Sequence, residues 1–238
     1  MNVLKKTFDR SKQMLEERLG EAKRTELEPE FAAALARADD MKTYVERIVH
    51  YAEIFVQPDP AARLLPDFTQ EGHNKAESLG AQFGQFHQAV YGWQQPIKET
   101  QAVALKLKEG DNAFSSVGKS ERTLLNCVAT DFVKPLKRIL NEDIRAIDAE
   151  RKSLTTARLD MDSAKNRLEK NAENDALRTE VNEKEAEYKK QQERLSALLE
   201  SLEQKLPDVL VCVKKFVGAH NDHYRKCHQA AQKFYDAL

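Results

Sequence analysis

LKRILNEDIRAIDAERKSLTTARLDMDSAKNRLEKNAENDALRTEVNEKEAEYKKQQERLSALLESLEQKL, Leu136 to Leu206, is a run of 71 residues without glycine or proline. As one straight helix it would extend about 107 Å, at about 1.5 Å per residue. A compact domain of 238 residues has a radius of gyration of only about 18 Å. The run must therefore fold back on itself or build an elongated particle. Its best internal turn is NAEND, Asn171 to Asp175, which is polar, with two Asn and a candidate helix cap. On either side, apolar residues recur with heptad spacing, by seven before the turn and by three, four or seven after it. Ile147, Leu154, Met161 and Leu168 precede the turn; Leu177, Val181, Tyr188, Leu195, Leu198 and Leu202 follow it. This alternation of three and four is a coiled-coil pattern, interrupted by Arg151, Arg158, Lys184 and Gln191.

Outward from this run the helical pattern continues. Leu27, Phe31, Leu35, Ala38, Met41, Val45, Ile48, Ala52 and Phe55 step by three and four, as do Leu79, Phe83, Phe86, Val90, Trp93 and Ile97. Residues 58–74 (PDPAARLLPDFTQEGHN) hold three of the seven prolines and read as a loop or insertion. A further break falls somewhere in 92–118, where Gly110 to Ser120 is turn-like. Pro135 and Pro207 are expected to bend helices rather than end them. The reading is an all-α chain of three long, kinked, antiparallel helices preceded by a short leader. Composition agrees: the chain has 8 Gly and 7 Pro, where about 17 and 12 would be average. That shortage excludes a turn-rich all-β fold. No run approaches a membrane span, and three unpaired-looking cysteines point to a reducing cytosol.

Net charge is −1, from 38 basic and 39 acidic residues. Taken alone, this argues against a nucleic-acid or anionic-surface binder, but the bases are unevenly placed. From Met1 to Leu19 a helical wheel gathers Val3, Leu4, Phe8, Met14 and Leu15 on one side, with Lys5 and Lys12 on one border, Arg10 on the other and Lys6 in the opposite arc. Such a helix lies in a membrane interface, or docks on the protein's own body through its apolar face. Between Glu150 and Lys170 lie Arg151, Lys152, Arg158, Lys165, Arg167 and Lys170, interspersed with acids. This is either a salt-bridged solvated face or a basic surface gathered by folding.

Two other motifs carry weaker readings. AFSSVGKS, Ala113 to Ser120, meets a relaxed phosphate-loop pattern, yet its surroundings are helical and lack the strand such a loop must follow. His220, His223 and Cys227 share a face of the last helix, where interface packing is a plainer account than metal binding. No cofactor is expected, and no enzyme chemistry.

Four stretches in order resemble the N-BAR domain of endophilins, most closely the B-type. They are ERLGEAKRTELE (17–28), QPDPAAR (57–63), GKSERTLLNCVATDFVKPL (118–136) and ERKSLTTARLDMDSAKNRLEK (150–170). The resemblance implies a crescent-shaped homodimer in the cytoplasm, peripheral to membranes, that senses or generates curvature on anionic phospholipid during vesicle trafficking or endocytosis. Residues 1–20 would be a membrane-inserting leader and 21–238 the BAR domain, with 58–74 an insertion in its first helix and 171–175 the distal tip.

Val3, Leu4, Phe8, Met14 and Leu15 would then insert into lipid. Lys5, Lys6, Arg10, Lys12, Arg151, Lys152, Arg158, Lys165, Arg167 and Lys170 would meet headgroups. Leu64, Leu65 and Phe68 in the insertion form a second wedge or a packed loop. No nucleic acid is expected as a partner. The SH3 domain typical of endophilins is absent from this chain, so partners recruited through it are not expected; either the domain was excised or the protein lacks it. The rival to membrane remodelling is a coiled-coil scaffold for protein partners, with the leader docked on its own body.

Overall fold

The computed structural model describes residues 2–19, 23–69, 72–93 and 98–238; the side chains of 2–6, 18 and 98 also lie outside the description. The expected all-α class holds, with no strand among the described residues. Among the described residues eight α-helices run α1 (Asn2–Leu19), α2 (Pro29–Val56), α3 (Lys75–Tyr91), α4 (Lys98–Val128), α5 (Lys134–Arg138), α6 (Arg145–Lys170), α7 (Asp175–Glu203) and α8 (Leu206–Ala237). They form two compact units: Met1–Glu46 with Arg138–Leu206, and Arg47–Lys137 with Pro207–Leu238.

The first unit is built on the heptad seam. Ile147, Leu154 and Met161 of α6 are buried, and so are Val181, Tyr188, Leu195 and Leu202 of α7, each series spaced by seven. Leu195 is fully enclosed. The polar interruptions are accommodated at the edge of the seam: Lys184 reaches Asp160 at 3.5 Å and Gln191 bonds Glu187 at 2.7 Å. Residues 171–174 turn the chain between the helices. The Asn174 side chain accepts hydrogen bonds from the N–H groups of Ala176 and Leu177, closing the start of α7. The early part of α2 joins through Phe31, Ala38 and Val45, all buried, and through ion pairs Lys42–Asp148 (2.9 Å) and Arg37–Glu203 (2.6 Å).

From Lys98 to Lys170 the backbone stays helical, passing through two π-helical turns, Ala129–Val133 and Ile139–Ile144, on either side of α5. Pro135 lies in α5. A proline lacks the N–H and crowds the carbonyl four residues earlier, and widened turns relieve that conflict without stopping the helix. Pro207 behaves differently from the expectation of a bend. Helix α7 ends at Glu203 and α8 starts at Leu206, which leaves Pro207 in a first turn where its missing N–H costs nothing.

In the second unit α3 and α4 pack tightly along much of their length. The turn-like reading of Gly110 to Ser120 gives way to continuous helix, and the glycines prove to be packing positions. A Cβ on Gly84 would sit 2.9 Å from the Asp111 carboxylate, and one on Gly80 would sit 3.0 Å from the Ser115 nitrogen. Gly110 makes room for Phe83 and Phe234, which form an aromatic cluster with Phe114; the Phe83 and Phe114 rings stack at 5.6 Å. Helix α3 opens with a capping box between Asn74 and Glu77.

Candidate functional site

Helix α1 packs on α6, and the face it uses is the informative feature. Gln13 is 2% exposed, and Asp9, Arg10, Glu16 and Glu17, three or four residues away along the helix, are partly buried. On the other side Phe8 is 68% exposed, Leu15 58% and Met14 47%. The leader is thus docked through its polar face with its apolar face outward, the reverse of the docked helix that sequence reasoning allows. The side chains of Val3, Leu4, Lys5 and Lys6 lie outside the described residues.

Ion pairs make the contact. The Arg10 guanidinium donates to both Asp160 carboxylate oxygens, at 2.6 and 2.9 Å. Burial opposes ionisation of Asp160 most strongly, but Arg10 and Lys184 together outweigh it and hold the carboxyl below its usual range. Arg158 donates through both terminal nitrogens to Glu17, each at 3.1 Å, and to Asp162 at 2.8 Å. Asp162 also accepts from the Thr25 N–H (3.1 Å) and hydroxyl (2.5 Å), which ties down the chain that follows the leader. Asn166 donates to Glu16 at 3.2 Å.

This arrangement sorts the predicted headgroup ligands. Arg158 has only 11% of its side chain exposed and faces Glu17 and Asp162, so here it is enclosed by protein. Arg151 pairs with Asp39 (2.9 Å), Lys165 with Glu185 (2.8 Å) and Arg167 with Glu180 (2.7 Å). These three pairs are partly exposed, and such pairs contribute only about 0–1 kcal/mol each, so a competing anion can exchange with the acid. Lys12 meets Glu16 at 3.7 Å within its own helix. Lys152 and Lys170 are exposed with no ion-pair partner among the described residues. Sequence reasoning missed the acids Glu17, Asp160 and Asp162. The spacing of Arg158 and Asp162 four apart was a visible signal for one pair; nothing in the sequence points to the others.

In the insertion, Phe68 is 4% exposed while Leu64 is 88% and Leu65 38%. Phe68 takes a left-handed backbone (φ 59°), and its carbonyl accepts from the Gln57 side chain at 2.8 Å. Arg122 holds the far side of the segment, donating to the Gly72 carbonyl and to both oxygens of Glu77 at 2.6–3.1 Å. The Arg122 hydrogen bonds lower the Glu77 pKa from 4.5 to about 2, against the opposing effect of burial. The three candidate wedge residues therefore part company: one is packed, one projects and one is intermediate.

The second unit also carries apolar side chains with no cover. On α8, Leu210, Val217 and Tyr224 are spaced by seven and each is more than half exposed. On α2, Ile48, Tyr51 and Phe55 share one face, and Phe55 adjoins α8 through His220, ring centroids 5.4 Å apart. His220 packs further on Phe216 and Tyr224, and His223 bonds Ser120 at 3.1 Å. The phosphate-loop look-alike lies wholly inside α4, with Gly118 pressed against Asn74 and Glu77, so its backbone N–H groups serve the helix. Among the described residues no helix is long and apolar enough to cross a membrane.

The family model for the BAR domain matches residues 4–238. Among curated proteins, the chain is 30% identical to Endophilin-B1 of Gallus gallus over 225 residues, covering 93% of this chain and 62% of that one. It is 26% identical to Endophilin-B2 of Bos taurus over 257 residues, covering 93% and 64%. With Endophilin-B2 of Homo sapiens the identity is 27%, with 93% and 64% covered. The chain spans less than two thirds of the length of these relatives. On the family match over nearly its whole length, the chain belongs to the BAR domain family.

Proposed function

We propose that this chain is a homodimeric membrane-binding module that senses or generates curvature on anionic phospholipid, as a peripheral protein in the cytoplasm serving vesicle trafficking. The observation that carries the reading is the orientation of α1. A helix on a protein in water buries its apolar stripe; this one buries Gln13 and leaves Phe8, Met14 and Leu15 uncovered. An apolar face turned outward is completed by a bilayer interface. Inserted there, it expands one leaflet relative to the other. Lys152 and Lys170, with the exchangeable Arg151, Lys165 and Arg167, would add about 1 kcal/mol each near an anionic surface.

Dimerisation fits the uncovered stripe of Leu210, Val217 and Tyr224 beside Phe55, since exposed apolar patches of that kind mark association surfaces. A dimer carries two leaders. Each alone is marginal, and two on one particle gain by effective concentration. Curvature preference follows from the need to seat both wedges and the bases together.

One observation favours the scaffold reading. Arg10, Arg151, Arg158, Lys165 and Arg167 are all engaged with acids of the same chain. Co-sedimentation with vesicles of phosphatidylserine and phosphatidylcholine separates the two. Binding at low salt, lost in Phe8→Glu and weakened in Lys152→Glu/Lys170→Glu, supports membrane remodelling. Absence of binding, or binding indifferent to these changes, supports the scaffold.

A further inference from the structure

We propose that His220 is a polar key within the surface where two copies of this chain meet. The copy opposite donates a tyrosine hydroxyl, from its Tyr51 or its Tyr224, to the His220 Nε2. This pairing rests on the dimeric reading above. What it adds is a feature that selects a second copy over other apolar surfaces.

The surface is apolar and large enough for a stable pair. Ile48, Tyr51 and Phe55 of α2 and Leu210, Val217 and Tyr224 of α8 are each between 41% and 70% exposed. With aromatic side chains covering about 150–250 Å² each, the six leave on the order of 700 Å² uncovered, close to the roughly 800 Å² that each partner gives to a standard interface. The α8 members repeat by seven, the spacing a helix presents to another of like pattern.

Among these apolar groups lies a polar one. His220 is 9% exposed, and its ring meets those of Phe216, Phe55 and Tyr224 at centroid separations of 4.3, 5.4 and 6.1 Å. Its Nδ1 is 2.9 Å from the Phe216 carbonyl, which can only accept, so Nδ1 carries the donated proton. In the neutral ring Nε2 is then an acceptor. It has no hydrogen-bond partner among the described residues and is not sealed from solvent, so water serves it while the patch is bare. A second copy seated on Phe55 and Tyr224 removes that water, and an acceptor left unpaired in an interface weakens it.

Two-fold pairing narrows the donor. When a patch meets itself, whatever satisfies His220 must stand in the same patch. The hydroxyl-bearing members of the six are Tyr51 and Tyr224, both more than half exposed. Each presents a phenolic proton at the end of an apolar ring. A foreign apolar surface without such a donor leaves Nε2 unpaired, so the histidine discriminates against it.

The test mixes two variants of the full chain and weighs the dimers by native mass spectrometry. One carries His220→Phe, which keeps an aromatic ring in place; the other carries Tyr51→Phe or, in a second experiment, Tyr224→Phe. In homodimers of the matching tyrosine variant both Nε2 atoms are unpaired, and the dissociation constant rises about tenfold over the wild type. In the mixed dimer one contact is whole and the other lacks both members, so no Nε2 is left unpaired. Random exchange gives mixed dimers a half share, and a tenfold preference lifts that share to about three quarters. A contact made within one chain gives only the half share, because each chain then carries its own defect into every dimer.

Should His220→Phe disturb α8, His220→Leu removes the same acceptor. A half share with both tyrosine variants overturns the key and leaves the dimer standing. A wild-type chain that stays monomeric at micromolar concentration overturns the dimeric reading, and the key with it.

Discussion

Two segments of this chain carry apolar residues that resemblance marks for insertion into lipid, and they are held in opposite ways. The leader docks by charge and leaves Phe8, Met14 and Leu15 in the open. The 58–74 segment docks by an aromatic: Phe68 is buried, Gln57 and Arg122 hold the backbone on either side, and only Leu64 projects fully. The difference lies in what each segment has to bury. The leader's inward stripe is polar and finds complementary charges on α6. The insertion has no helical stripe of its own, so its largest apolar side chain becomes the anchor. One segment presents an apolar face; the other mainly spends its apolar residue on its own attachment.

The largest expected effect breaks this contrast at its two aromatics. Phe68→Ala removes a buried ring and lowers stability by about 3–5 kcal/mol. Phe8→Ala, at an exposed position, changes stability by less than about 0.5 kcal/mol. Urea unfolding measures both, and equal losses would show that the leader and insertion are attached alike. Vesicle affinity is expected to reverse the order, with Phe8→Ala the more damaging.

A smaller effect concerns the polar hold on the insertion. Arg122→Ala takes from the Gly72 carbonyl and from Glu77, which keeps the Asn74 N–H, the guanidinium that joins them, at a cost of about 1–3 kcal/mol. Acid has a related effect. Because Glu77 is depressed from 4.5 to about 2, its ionised form contributes stability that is fully present above about pH 4.5 and is lost as pH falls through about 2. Pepsin cleavage within 57–74 is therefore expected to rise between pH 4 and pH 2 in the wild type, and to be high already at pH 4 in Arg122→Ala. Equal cleavage of the two chains at pH 4 would remove Arg122 from the account.

The smallest effect tests the projecting residue. Leu64→Ala is expected to leave stability within about 0.5 kcal/mol, and to weaken vesicle binding far less than Phe8→Glu does. A loss as large as that of Phe8→Glu would make the insertion a second wedge in its own right.

Much of the fold was legible in the sequence. Seven-residue spacing located the buried positions of α6 and α7, because a seam between two helices repeats with the heptad whatever else the protein does. The glycines were misleading for a physical reason. Sequence marks Gly110 and Gly118 as turn-like, whereas in α4 they serve by having no Cβ where Phe83, Phe234, Asn74 and Glu77 approach. The candidate site was legible as a set of residue types but not as an arrangement. Periodicity reports that α1 has two faces; it cannot report which one is turned inward. That choice depends on acids and bases of α6 141 to 150 residues away in sequence, such as Asp160 and Arg158, and no local pattern links them to Arg10 and Glu17.

Which side of α1 meets lipid is the decisive question for membrane binding by this chain. In a chain with Cys127, Cys212 and Cys227 replaced by alanine, a spin label is placed in turn at positions 8 and 13 and bound to anionic vesicles. The label at 8 is expected to be shielded from a water-soluble paramagnetic reagent and accessible to oxygen, as in the acyl region, while the label at 13 is accessible to neither. A label at 8 that remains in water on vesicle-bound protein would contradict the account.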